Sequence, residues 1–396
     1  MSDSPANIPQ TNTAADDTTT TPSAAQYDIS ALSHQPFPDA PPGFLINLVL
    51  RLRRFLLRLA DLVVPADAAV FERIVGVGHT VSIGAITRLG VPDILAQGPL
   101  SAKALAERTG CNADAMHRTM RAMVTGGVFK LDREGRFANN RLSRELCAGR
   151  LNRAKEFAEY FSSKSNVLAY AEFDHVLKTG EEGFMHANGK DLWQWFDAHP
   201  EELETFAQMM MGVTNGEAPM VAKLYPFEEI TRLCDVGGGR GSLLSELVVR
   251  YPHLQGVLFD CEGVIASAGP LLEARGVADK IECETGDFYT AVPAGCDAYM
   301  LKNVMHDWDD GRCKIILDNC RKVMKKGNKV LLVEIVLEEF DRTNFAALRD
   351  IHVLTVCTGG RERSRADYAR LLRTSGFEPG RVFVSPIISV IEGVVA

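Results

Sequence analysis

The residues able to do chemistry in this chain fall at the carboxyl ends of short apolar runs in its second half. The first run, Leu233-Cys234-Asp235-Val236, leads into Gly237-Gly238-Gly239-Arg240-Gly241 and then a helical stretch from Ser242 to Leu247. Glycines at a strand-to-helix turn let backbone N–H groups approach a ligand closely. No Gly-Lys-Ser/Thr follows, so the loop is not a phosphate-gripping P-loop, and its spacing is not G-x-G-x-x-G. Asp235, just before the glycines, would repel a pyrophosphate but suits a cationic ligand. The second run ends in Asp260, nineteen positions past Gly241, where a carboxylate can accept both hydroxyls of a ribose. A third unit ends in Gly286-Asp287-Phe288, an acid and a ring suited to an adenine amino group and face. The fourth, Ala298-Tyr299-Met300-Leu301, delivers Lys302, His306, Asp307 and Trp308. Glu334 closes the apolar run Leu331-Leu332-Val333, where a charge without a task is unfavourable. Glu362 lies between Arg361 and Arg363, so a surface ion pair competes there with a functional reading.

The elements that must position these groups alternate from about residue 230 onward as strands and helices, the pattern of a parallel α/β sheet whose ligands bind at the carboxyl edge. The preceding part, 66–215, reads as helical. Ser101 caps a helix closed by Gly110, and Asn112 caps a second through Met116, Met120 and Met123 that stops at Gly126-Gly127. Val128–Leu131 and Gly135–Ala138 then form a short wing. Two capped helices and a hairpin also describe a DNA-binding regulator. His117, Arg118 and Arg121 beside Asp114 are only weakly basic, however, and the three Met suit a core. A scaffold or dimerisation module is the expected role, and no nucleic-acid partner is expected. Further helices to 215 carry Trp193, Trp195, Phe196 and Met209-Met210-Met211 at a domain boundary, where small-molecule pockets form.

A length of 396 residues predicts two to three domains, and 46% hydrophobic with 24% charged residues fits a globular chain with a sizeable core. The net charge of −8 gives no positive field toward nucleic acid. Nine cysteines form no CxxC pair and sit mostly in apolar runs, the usage of a reducing, cytoplasmic setting. Residues 1–42 read as a flexible Ser/Thr-rich tail and a Pro-rich extended spacer, without a secretory signal. Residues 43–65 read as a basic amphipathic helix. Its four arginines (51, 53, 54, 58) argue against stable membrane insertion, and packing on a partner subunit or on the body is favoured over a membrane surface.

Taken together, Asp-Val-Gly-Gly-Gly-Arg-Gly (235–241), Phe259-Asp260, Gly286-Asp287-Phe288, Leu301-Lys302, His306-Asp307-Trp308, Val333-Glu334 and Gly359-Gly360-Arg361-Glu362-Arg363 resemble one family in order and spacing. It is the class I S-adenosylmethionine-dependent O-methyltransferases of the caffeic-acid and hydroxyneurosporene type, and the likeness spans about 70 to 396. The resemblance implies a Rossmann-like seven-stranded sheet at 216–396 and a helical, winged-helix-like dimerisation and lid domain at 66–215, assembling as a homodimer. It places the methionine part of S-adenosylmethionine at Gly237 and its neighbours Asp235 and Gly239, the ribose at Asp260 and the adenine at Asp287 and Phe288. Lys302 would also line that site. His306 would be the general base, oriented by Glu334 and Glu362, with no metal. Trp195, Met210, Thr214, Asp307 and His352 are expected at the substrate, a small aromatic with a phenolic or enolic hydroxyl. The chain departs from the family at Cys357-Thr358, where an asparagine is common. Family members that hold the cofactor structurally and hydroxylate, decarboxylate or cyclise are the alternative, and a regulator is the more distant one. The chemistry agrees with transfer: a phenol of pKa near 10 needs a positioned base, and an acid on the other imidazole nitrogen fixes the tautomer.

Overall fold

The computed structural model describes residues 29, 31–337 and 346–396. The tail expected over 1–30 thus lies, apart from residue 29, outside the described residues. The chain opens with helices α1 (Gly43–Val63), α2 (Ala66–Ile74), α3 (Gly76–Arg88), α4 (Val91–Ala96), α5 (Ala102–Thr109) and α6 (Ala113–Thr125). The Ser101 and Asn112 side chains accept the N–H groups of Ala104 and Ala115, so the two sequence caps form as read. Met116, Met120 and Met123 are buried in a small core with Leu105 and Phe137. Strands β1 (Phe129–Leu131) and β2 (Phe137–Asn139) make the antiparallel wing. His117, Arg118 and Arg121 are exposed beyond it, with Arg118 3.7 Å from Asp114.

Helices α7 (Ala154–Phe161), α8 (Lys164–Ala171), α9 (Phe173–Thr179), α10 (Gly183–Asn188) and α11 (Leu192–Ala198) build a cap, and α12 (Pro200–Leu224) leads out of it. The expected boundary at 215/216 falls within α12, which continues through Pro219 to pack on the sheet domain. Then follow β3 (Arg232–Val236), α13 (Ser242–Arg250), β4 (Gln255–Asp260), α14 (Glu262–Ile265), α15 (Gly269–Ala274), β5 (Ile281–Thr285), β6 (Ala298–Lys302), α16 (Asp310–Val323), β7 (Lys329–Glu334), α17 (Ala346–Val356), α18 (Arg365–Thr374), β8 (Glu378–Phe383) and β9 (Ser389–Val394).

The seven strands run in the order β5-β4-β3-β6-β7-β9-β8. The first five are parallel, and β9 and β8 close the sheet antiparallel. Successive residues of each central strand enter opposite cores: Leu233, Leu258, Met300 and Leu331 on one face, Cys234, Val257, Tyr299 and Leu332 on the other. The chain leaves β3 toward β5 and then jumps across β3 to β6. The crevice between β3 and β6 is therefore the switch point at which open α/β sheets bind ligands. All nine cysteines are unpaired, and five of them are buried.

The Pro-rich segment, read as an extended spacer, is docked on the sheet domain instead. Phe37 is buried, its N–H donates to Glu246 at 3.0 Å, and Arg275 donates to the carbonyls of Ser33 and Gln35. The segment's own ring, Phe37, and the buried Glu246–Arg275 ion pair, more than two hundred residues away in sequence, hold it down.

Candidate active site

At the switch point the chain turns through Gly237, Gly239 and Gly241 at φ of 70°, 60° and 84°, a region that L side chains enter only with strain. A Cβ on Gly238 would lie 2.7 Å from the Asp235 carboxyl carbon, so the loop passes directly over that acid. Asp235 is buried, and neither of its oxygens has a hydrogen-bond partner among the described residues. Burial lifts its pKa to about 7, against the pull of Lys302. A buried carboxylate without a donor is unfavourable, and a cation seated over it relieves that cost. This orphaned acid beneath a glycine cradle fits a sulfonium-bearing nucleoside.

The neighbouring strand ends supply the remaining groups. Asp260 accepts the N–H of Gly239 at 2.9 Å and of Cys261 at 2.8 Å, and burial raises its pKa. Asp287 is exposed and accepts the Tyr289 N–H at 2.8 Å. Phe288 meets Tyr289 and Trp308 with ring centres 5.0 and 6.4 Å away. Asn319, on α16, fixes this loop by donating to the carbonyls of Phe288 and Tyr289. Lys302 at the end of β6 sits 2.8 Å from Glu217 and donates to Thr214 at 3.0 Å. Two residues given separate tasks by the sequence are thus joined across the groove through α12.

His306 lies just beyond β6. Glu334, at the end of β7 and fully buried, accepts the N–H groups of Val304 (3.1 Å) and Met305 (2.8 Å) on one oxygen and meets His306 Nδ1 at 2.8 Å with the other. An ionised carboxylate only accepts, so Nδ1 carries the proton and Nε2 is left as the basic nitrogen. Burial pulls the His306 pKa down, but Glu334 and Asp307 outweigh it, and the net shift is upward. Burial pushes Glu334 up, and His306 and Arg349 hold it below the ordinary value all the same. Asp307 lies 3.3 Å from Nε2 and receives the Cys357 thiol at 3.4 Å; burial raises its pKa. Thr358, the other departure from the family pattern, donates to Glu182 at 2.7 Å.

Glu362 enters through a parallel bridge between Val336 and Arg363. Arg363 itself, buried, donates to the carbonyls of Met305 and Trp308 and pins the loop that carries the imidazole. The His306, Glu334 and Glu362 ligand atoms lie within 4.8 Å of one another, close enough to grip an ion. Arg349 of α17 fills the charge requirement: its Nε donates to Glu362, its Nη2 lies 3.8 Å from Glu334, and its Nη1 donates to Asn303 at 3.3 Å. Sequence reasoning missed Arg349, Asn303 and Asn319. The signal available for Arg349 was its place one turn before His352 on the same helix.

His352 is wedged between the hydroxyls of Tyr160 (3.3 Å to Nε2) and Tyr170 (2.9 Å to Nδ1), and burial drives its pKa down to about 4. It is therefore neutral at physiological pH. Phe161, Phe206 and Met210 join that apolar wall around Tyr160 and Val353. The two tryptophans of α11 diverge. Trp195 stacks on His199 at 3.7 Å and meets Phe184, whereas Trp193 stacks on Trp308 at 6.1 Å beside the His306 loop.

Comparison with known proteins accords with this geometry. The O-methyltransferase domain matches residues 170–378 and the O-methyltransferase dimerisation domain 79–149. The chain is 35% identical to the mitomycin biosynthesis 6-O-methyltransferase of Streptomyces lavendulae over 80% of its own length and 90% of that protein. A mitomycin 7-O-methyltransferase structure superposes with a TM-score of 0.79 at 33% identity, over 86% of this chain and all of that one. An O-methyltransferase from neocarzinostatin biosynthesis, solved with S-adenosyl-L-homocysteine and 1,4-dihydroxy-2-naphthoic acid, gives 0.72 at 25% identity, over 80% and 96% of the two chains.

Proposed function

This chain belongs to the S-adenosylmethionine-dependent O-methyltransferases, and we propose that its His306 takes the proton from a phenolic or enolic hydroxyl of a small aromatic secondary metabolite. S-adenosylmethionine, when bound, supplies an electrophilic methyl group on a sulfonium. Asp235 answers that cationic end from beneath Gly237 and Gly239. Asp260 takes the ribose, Asp287 and Phe288 the adenine, and Lys302 lines the same groove. Glu334 holds the imidazole in one tautomer and stabilises the imidazolium, while Glu362 orients the cluster through Arg349. Asp307, Met210, Thr214 and His352 face the acceptor. Trp195, packed against the cluster around Tyr160 and Val353, belongs to the same side, and Trp193 adds the ring beside Trp308.

One observation carries the reading: Nδ1 of His306 sits 2.8 Å from a fully buried glutamate that is itself clamped by two backbone N–H groups. That arrangement serves to present Nε2 as a base. Hydroxylation, decarboxylation or cyclisation with a structural cofactor finds no support among the relatives. The dimerisation domain supports a homodimer. The nine unpaired cysteines favour a reducing, cytoplasmic setting.

Labelled S-adenosylmethionine and a panel of phenols test the assignment. His306→Ala is expected to lower turnover about 10²- to 10⁴-fold while cofactor affinity stays within about twofold. Undiminished turnover in that variant overturns it.

A further inference from the structure

Beside His306, Arg349 Nη2, Asn303 Nδ2 and Glu362 Oε2 are buried without a hydrogen-bond partner among the described residues. Two of them are donors, and the geometry ties them together. Asn303 is 7% exposed and adopts φ 54°, a strained conformation for a side-chain-bearing residue, directly after β6. Its Oδ1 accepts Arg349 Nη1, so Nδ2 is the free end of the amide. On α17, Arg349 shares a helix face with His352, Val353 and Val356 at spacings of three, four and seven. That face turns toward the aromatic pocket, because His352 meets Tyr160, Phe161 and Tyr170, and Val353 and Val356 belong to the same cluster. The Arg349 side chain as a whole is 22% exposed, its Nη2 is buried, and that nitrogen reaches within 3.8 Å of the glutamate that grips His306.

We propose that Arg349 and Asn303 bind an oxygen acceptor that the substrate carries on the ring carbon next to its hydroxyl, either a conjugated carbonyl or a carboxylate. The proposal rests on His306 being the base. In such a substrate the hydroxyl proton is held internally by the neighbouring oxygen. Donation from Arg349 Nη2 and Asn303 Nδ2 takes over that oxygen and releases the O–H to turn toward His306 Nε2. The proton then passes to Nε2, the electron pair of the broken O–H bond stays on the substrate oxygen, and the adjacent guanidinium stabilises the resulting negative charge. A phenol lacking the second oxygen leaves both donors buried and unpaired, and is disfavoured for that reason.

Matched acceptors test this in the whole protein with saturating cofactor: 1-naphthol, 1-hydroxy-2-acetonaphthone and 1-hydroxy-2-naphthoate. The wild-type kcat/KM is expected to favour at least one oxygen-bearing acceptor over 1-naphthol by about tenfold or more. Which of the two leads distinguishes a carbonyl from a carboxylate. Arg349→Met should erase that preference while Arg349→Lys retains part of it. Asn303→Gly, which tolerates the positive φ, should reduce it without unfolding the chain. Equal wild-type rates on all three acceptors, or an Arg349→Met loss equal for all three, overturns the proposal and assigns Arg349 to charge balance alone. Absence of transfer to every acceptor, with cofactor binding intact, strikes the base assignment and this proposal with it.

Discussion

At the carboxyl edge of the sheet charged groups are buried and apolar ones are covered, whereas along α1 most apolar groups face outward and only a narrow mixed edge is half-buried. Glu334, Glu362, His306 and Asp235 are all buried. Helix α1 has no buried residue in its 21 positions, and Phe44, Phe55 and Leu62 are 76%, 57% and 81% exposed. Its half-buried side is Ile46, Asn47, Leu50, Arg54 and Asp61, on the edge toward the body. Each region is incomplete in the currency of what it meets. The sheet edge has a carboxylate that no donor among the described residues reaches, and a small cationic ligand suits it. Helix α1 has an apolar face too broad for any metabolite, of the kind that macromolecular surfaces cover. The apolar exposure continues into Val70, Phe71, Ile74 and Val77 of α2 and α3, next to the dimerisation domain.

The sharpest way to break this contrast is at the buried pair. Glu334→Gln removes the carboxylate charge that faces Nδ1, and turnover is expected to fall at least about a hundredfold. His306 acts as a base only when neutral, and its pKa is raised, so kcat/KM should climb with pH through an inflection above the ordinary imidazole value. Glu334→Gln, by removing the main group that raises that pKa, should move the inflection down; a pH–rate profile reads both effects.

Next in size is Asp235. Its folded pKa, about 7, lies above the unfolded carboxyl value. The free protein therefore keeps the stability of the protonated form at low pH and loses it as pH rises from about 4 toward about 7. Cofactor affinity should run the opposite way, growing over that window as the carboxylate ionises. Asp235→Asn is expected to weaken the cofactor about tenfold or more and to flatten both pH dependences, as calorimetry and urea titration would show.

The smallest effect is expected on α1. Leu52→Ser together with Phe55→Ser should change single-chain stability by no more than about 0.5 kcal/mol, because neither residue is buried. Urea unfolding at low protein concentration measures it. Phe37, just before α1 in the chain, belongs to the opposite class, since it is buried against Glu246 and Arg275.

Much of the site was legible in the sequence because its parts are local. The glycine loop after β3, the acids closing β4 and β7, and His306 after β6 each follow a run whose burial forces the strand, and parallel strands bring their carboxyl ends to one edge. The caps Ser101 and Asn112 and the buried face of Met116, Met120 and Met123 were readable from spacing for the same reason. Less visible was anything decided by a partner far along the chain. Trp193 and Trp195 are two positions apart, and only the packing of α11 decides that Trp193, rather than Trp195, meets the distant Trp308.

Residue type and spacing, then, determined the sheet, the glycine loop over Asp235 and the imidazole between acids, since hydrophobic periodicity and glycine conformation act over a few residues. The tertiary structure alone decided that Arg349 reaches Glu362, Glu334 and Asn303, that Asn319 steadies the Phe288 loop, and that the Pro-rich segment lies pinned by Phe37. Charge pairing and burial depend on distance in space, and these partners are set by the packing of separate elements rather than by their order in the chain.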